Sequence, residues 1–74
     1  MNDVQSVSLK VGGRPINLTQ VLKLSGNVLS GGEAKALIAE GRVRVNGAVE
    51  LRKRRQMTGG DVVQIEGGAT INLV

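Results

Sequence analysis

The sequence contains no cysteine and no histidine. A thiolate nucleophile, a disulfide framework, an imidazole base and a conventional zinc site are therefore excluded. Phenylalanine, tryptophan and tyrosine are absent as well, which removes the stacking platforms that single-strand nucleic-acid binders rely on. No apolar run approaches the ~20 residues needed to span a bilayer. The start, Met1-Asn2-Asp3-Val4-Gln5-Ser6, lacks the basic head and apolar run of a secretory signal. A soluble cytoplasmic protein is expected, and the lack of cysteine is compatible with a reducing compartment. With 74 residues, one small domain spanning 1–74 is expected. A chain this short buries only about 60% of its unfolded surface, leaving little material for a catalytic cleft.

What is present points to a folded chain, since 41% of the residues are apolar. Val7 to Val11 alternates apolar and polar residues and reads as a half-buried strand, broken by Gly12-Gly13-Arg14-Pro15. Leu18, Val21 and Leu22 share one face of a short helix ending near Leu24, with Asn17 as N-cap and Gln20 three residues on. Ser30-Gly31-Gly32-Glu33 has the capping-box pattern and opens a second helix with Ala34, Leu37 and Ile38 as its stripe and Gly41 as its stop. Arg42 to Val45 alternates again, and Asn46-Gly47 is a hairpin signal. A two-residue loop would put Glu50 on the apolar face. A three-residue loop, Asn46 to Ala48, pairs Val45 with Val49, Val43 with Leu51 and Arg44 with Glu50, and is the expected register. Further strands are read at Val62 to Ile65 and at Thr70 to Val74, the latter with Ile71 and Leu73 on one face. The fold class is α+β: two short helices packed on a small, mostly antiparallel sheet.

The net charge is +4 and the pI about 10.4. Seven of the ten basic residues lie between Lys35 and Arg55, a stretch of 21 residues opposed only by Glu40 and Glu50. Strand alternation sends Arg42 and Arg44 to the face opposite Val43 and Val45. In the expected register Arg52 lies across from Arg42, a repulsive pair that an anion would relieve. Strand alternation alone also explains outward charges, whereas the run Arg52-Lys53-Arg54-Arg55 does not mix signs as a solubility device would. The cluster therefore points to a polyanion, and arginine forks suit phosphate. A membrane-surface role would need an amphipathic helix or lipidation site, and neither accompanies the run.

Two other features are weaker. Gly26 to Gly31 has the glycine spacing of a phosphate-binding loop, but Gly32 and Glu33 stand where lysine and a hydroxyl residue are required. The opening of the second helix at Gly31 and Gly32 either presents amides to a phosphate or is a flexible start. Carboxylates form no pair that the sequence can place, so no enzyme is expected. Neither is a cofactor or a bound metal.

The stretch from Asn17 to Glu66 resembles the RNA-binding domain named after small-subunit ribosomal protein four, the S-four domain. The resemblance is carried by Leu18 to Leu24, Ser30-Gly31-Gly32-Glu33-Ala34-Lys35-Ala36-Leu37-Ile38, Glu40 to Gly47 and Gly59-Gly60-Asp61-Val62-Val63. The segment Glu50 to Arg54 looks most like the small stand-alone bacterial members, the YbcJ-like proteins. This resemblance implies an αL-motif core at 17–66, with flanking strands in 1–16 and 67–74, that grips structured RNA such as ribosomal or transfer RNA, with a ribosomal subunit as a further partner. By position it implies contacts from Lys35, Arg42, Arg44 and Asn46. The basic run adds Arg52, Lys53, Arg54 and Arg55. The family commonly carries arginine after the capping serine, where this chain has Gly31, so part of that role falls to Arg52 to Arg55. Without aromatic side chains, recognition should rest on phosphates, 2′-hydroxyls and helical shape. The alternative is a small interaction module whose basic patch meets an acidic protein. A loose likeness to ubiquitin-like sulfur carriers fails because Gly67-Gly68 lies inside the chain.

Overall fold

Among the described residues, two short apolar stripes and four alternating segments combine into two helices on a five-stranded mixed sheet. The computed structural model describes residues 6–74; positions 1–5, including most of the segment read for a signal, lie outside the described residues. In chain order the elements are β1 (Ser6–Leu9), α1 (Leu18–Leu24), α2 (Gly31–Ala39), β2 (Val43–Val45), β3 (Ala48–Val49), β4 (Val62–Ile65) and β5 (Thr70–Leu73). The sheet order is β1-β5-β4-β2-β3, parallel only between β1 and β5.

The register explains the core. Val7, Ile71, Val63 and Val45 pair in succession across four strands, forming one apolar row on the helix side. Leu18, Val21 and Leu22 of α1 and Ala34 and Ile38 of α2 close over it, all essentially inaccessible. One residue out of phase, Arg44, Gln64, Thr70 and Ser6 pair along the opposite face, a polar row that follows from the period of two.

Both helix starts are capped, but the roles differ from the sequence expectation. The closed capping box belongs to α1, where Asn17 Oδ1 accepts from the Gln20 N–H at 2.9 Å and Gln20 Oε1 from the Asn17 N–H at 2.8 Å. At α2, Ser30 Oγ accepts from the Glu33 N–H, but the Glu33 carboxylate reaches past the cap to the Leu29 N–H at 2.6 Å.

The hairpin corrects the expected register. Val45 pairs with Ala48 and Arg44 with Val49, so the loop has two residues, not three. Asn46 (φ 51°) and Gly47 (φ 87°) both occupy the left-handed region, as a type I′ turn demands; glycine adopts it freely and asparagine more readily than most residues. Glu50 therefore does fall on the core side, donating its N–H to the Val43 carbonyl. Arg44 faces Val49 and Gln64 rather than Glu50, and Arg42 lies beside Glu66 rather than Arg52. The argument from two facing arginines is thereby removed.

Candidate nucleic-acid interface

The basic run sits in the connection between β3 and β4, and its backbone is tied down. The first two N–H groups of α1, at Leu18 and Thr19, donate to the carbonyls of Arg55 (2.9 Å) and Lys53 (3.2 Å). The Thr19 hydroxyl also donates to the Lys53 carbonyl at 2.8 Å. Donors that a helix start would otherwise leave to solvent thus hold the basic loop against α1. Met57 continues the attachment, donating its N–H to the Ile16 carbonyl and burying its side chain.

Within the run, neighbouring side chains diverge. Arg52 and Arg55 both grip Glu50. The Arg52 Nε–H and Nη2–H donate to its two oxygens at 2.9 and 3.0 Å, and Arg55 Nε lies 3.3 Å away. The Arg52 backbone N–H adds a further bond of 3.0 Å. The Glu50 side chain is only 13% exposed, so a carboxylate forced onto the core side by the hairpin register is neutralised there. The Arg52 side-chain hydrogen bonds, followed by its backbone N–H, outweigh burial and hold the Glu50 carboxyl down to about 2, with both arginine charges helping.

Lys53 and Arg54 turn the other way. They join Lys23 of α1 and Lys35 of α2 around a shallow cleft of about 220 Å³, whose lining also includes Thr19 and Gly31. Among the described residues, none of these four cations makes an ion pair and no carboxylate lines the cleft. Lys23 was missed by the sequence reading because it lies outside the basic stretch and one helix away. Its position on α1, opposite the buried Leu22 and Val21, was the available signal. A β-carbon placed on Gly31 would sit 3.6 Å from the Lys23 Cδ. The lysine stem thus runs beside the opening of α2.

The remaining sequence candidates lie elsewhere. Arg42 bridges Glu66 (3.3 Å) and Glu40 (3.5 Å) as an exposed pair. Arg44 projects from the polar face of the sheet and makes no ion pair among the described residues. Asn46 is engaged internally: its Nδ2–H donates to Asp61 at 3.0 Å and its Oδ1 accepts the Val62 N–H at 2.9 Å. Asp61 in turn accepts the Thr58 N–H at 2.9 Å. The Asn46 hydrogen bond, aided by that N–H and by Arg55, lowers the Asp61 carboxyl below its usual range against the effect of burial. Among the described residues, no three Asp or Glu side chains gather as metal ligands, and no helix is long and apolar enough to cross a membrane.

Comparison with known proteins agrees with this architecture. "Putative RNA-binding protein YbcJ" of Escherichia coli (strain K12) is 44% identical over 61 residues, covering 81% of this chain and 87% of that protein. "Probable ribosome maturation protein RlbA" of Bacillus subtilis (strain 168) is 42% identical over 59 residues, covering 80% and 83%. The solution structure of E. coli YbcJ, described as having an αL motif involved in RNA-binding, aligns with TM-score 0.64 at 39% identity, covering all of this chain and 91% of that one. A match to the S4 domain spans residues 9–74, and the chain accordingly belongs to the S4-domain family.

Proposed function

We propose that this protein binds structured RNA without catalysing a reaction on it, through the cleft between α1, α2 and the basic loop. One observation carries the reading: Lys23, Lys35, Lys53 and Arg54 come from three separate elements and converge on a cleft with no carboxylate in its lining among the described residues. Converging like charges raise the energy of the free protein and are relieved by a polyanion. Lysine ammonium groups and an arginine fork are suited to phosphates of a rigid, folded strand. Arg44, on the polar face of the sheet, extends the positive surface toward the hairpin. Arg42, Asn46, Arg52 and Arg55 act mainly by holding the loop and hairpin in shape.

The absence of aromatic residues supports shape and backbone recognition over base stacking in this cleft. A relative named for RNA binding and another named for ribosome maturation support folded ribosomal RNA as the first target to try, with transfer RNA as comparison. The test is titration of an end-labelled RNA hairpin, with a single strand and a DNA duplex of equal length, across a salt series. The hairpin should bind most tightly, and its affinity should fall steeply with salt. Lys→Gln and Arg→Gln changes in the cleft should each lower the log–log salt slope by about 1. Equal binding of all three nucleic acids would reduce the cleft to nonspecific attraction. No binding at all would favour an acidic protein partner.

A further inference from the structure

Three basic residues lie outside the charged stretch, namely Lys10, Arg14 and Lys23. Lys23 belongs to the cleft already described. Lys10 and Arg14 border a second and larger cleft, of about 320 Å³, on the other side of Gln20. Its remaining wall is mostly apolar: Pro15, Ile16 and Leu24 contribute, and Leu24 is 64% exposed although it ends an otherwise well-buried helix face. Gln20 lines both clefts, so the two lie on either side of one side chain of α1.

The chemistry of this second cleft differs from that of the first. Among the described residues no carboxylate lines it, and neither Lys10 nor Arg14 makes an ion pair. It combines two cations with an aliphatic wall, in a volume at the lower end of small-ligand sites, which begin at about 300 Å³. A phosphate alone has no use for an aliphatic wall, and an apolar peptide has no use for two unpaired cations. A nucleotide uses both: its base lies on aliphatic groups or an arginine plane, while its phosphate meets a cation. In a protein without aromatic residues, Arg14 offers such a plane beside an apolar surface. Gln20 adds a directional group. Its Oε1 is held by the Asn17 N–H at 2.8 Å, so the amide is fixed in place, and its Nε2 donors meet no acceptor among the described residues.

We propose that the cleft bordered by Lys10, Arg14 and Leu24 receives one unpaired nucleotide of an RNA whose neighbouring phosphates occupy the basic cleft across Gln20. This rests on the RNA-binding reading and adds to it a preference for folded RNA that carries a bulged or looped-out nucleotide. Lys10 meets the phosphate and Arg14 stacks on the base; Leu24, Pro15 and Ile16 exclude water from its face.

The experiment compares two end-labelled RNA hairpins identical except for one unpaired nucleotide in the stem, replaced by 2-aminopurine so that its fluorescence also reports its surroundings. The wild-type protein should bind the bulged RNA about 5- to 10-fold more tightly than the fully paired one and change the 2-aminopurine emission. Lys10→Gln with Arg14→Gln should remove that preference while changing affinity for the paired hairpin less than about 2-fold. Leu24→Ser, which alters no charge, should reduce the preference and leave the salt slope unchanged. Circular dichroism confirms the fold of each variant. Equal affinity of the wild-type protein for both hairpins, with no emission change, would overturn the pocket and leave the RNA reading standing. Equal losses on both RNAs in the Lys10/Arg14 variant would also overturn it, leaving general electrostatics. Failure of the wild-type protein to bind either hairpin would overturn both readings.

Discussion

Arg52 and Arg55 differ from Lys53 and Arg54 in what their charges meet, although the four residues are consecutive. The outer pair closes on Glu50, and the inner pair faces an open cleft with Lys23 and Lys35. A run of four like charges thus divides into two charges that organise the loop and two that remain available to a ligand. The division is made by the hairpin. Its two-residue turn puts Glu50 on the core side, where a bare carboxylate is not tolerated, and the flanking arginines are drawn to it. Charge density along a sequence therefore overstates the binding surface unless the internal partners are subtracted.

That contrast is most directly broken by neutralising one set at a time. Lys23→Gln, Lys35→Gln, Lys53→Gln and Arg54→Gln together should lower affinity for an RNA hairpin by about 100-fold or more at physiological salt and flatten the salt slope by about 4, with little change in Tm. Filter binding over a salt series, with circular dichroism for the fold, checks this. Undiminished binding would assign RNA contact to another face.

Glu50→Gln tests the other set. Losing the charge and one of the two acceptor oxygens of a half-buried clamp should destabilise the fold by about 1–2 kcal/mol, between the values for exposed and buried ion pairs. Urea unfolding followed by circular dichroism is suitable, as the protein has no fluorescent side chain. The same residue predicts an acid dependence. Its carboxyl is held at about 2 in the folded protein, below the ordinary 4.5. Its contribution is then fully present above about pH 4.5 and lost as pH falls toward 2. Asp61, also lowered, acts in the same direction. Glu50→Gln should flatten the acid limb of stability against pH without abolishing it.

A smaller effect is expected at the hairpin tip. Asn46→Ala removes two hydrogen bonds and places alanine in the left-handed region, for a loss of about 1–2 kcal/mol. RNA affinity measured well below the Tm should stay within about 2-fold. A large affinity loss with an unchanged Tm would show that Asn46 touches RNA after all. Smallest of all, Arg42→Gln breaks only exposed pairs with Glu40 and Glu66 and should cost at most about 0.5 kcal/mol in the same urea assay.

Much of the architecture was legible because it rests on local rules. The periods of 3.6 and 2 located α1 and β4, and the Asn17 cap and the helix stop at Gly41 follow from short-range hydrogen bonding and backbone freedom. The hairpin register was not legible. Placing Glu50 on the apolar face looked unfavourable while its partners were unknown, and those partners come from a loop whose path is set by α1. Lys23 escaped notice for a related reason: it is 12 residues from Lys35 and 30 from Lys53 in the sequence, and only packing brings them to one cleft.

By itself the sequence determined the fold class, the concentration of positive charge and the exclusion of thiol, imidazole and aromatic chemistry, because composition and periodicity act without long-range contacts. The tertiary structure alone decided which cations are spent on Glu50, Glu40 and Glu66 and which converge on the cleft. Electrostatic interaction depends on distance in space and on desolvation, and both are set only when α1, α2 and the loop from Leu51 to Arg55 are packed against one another.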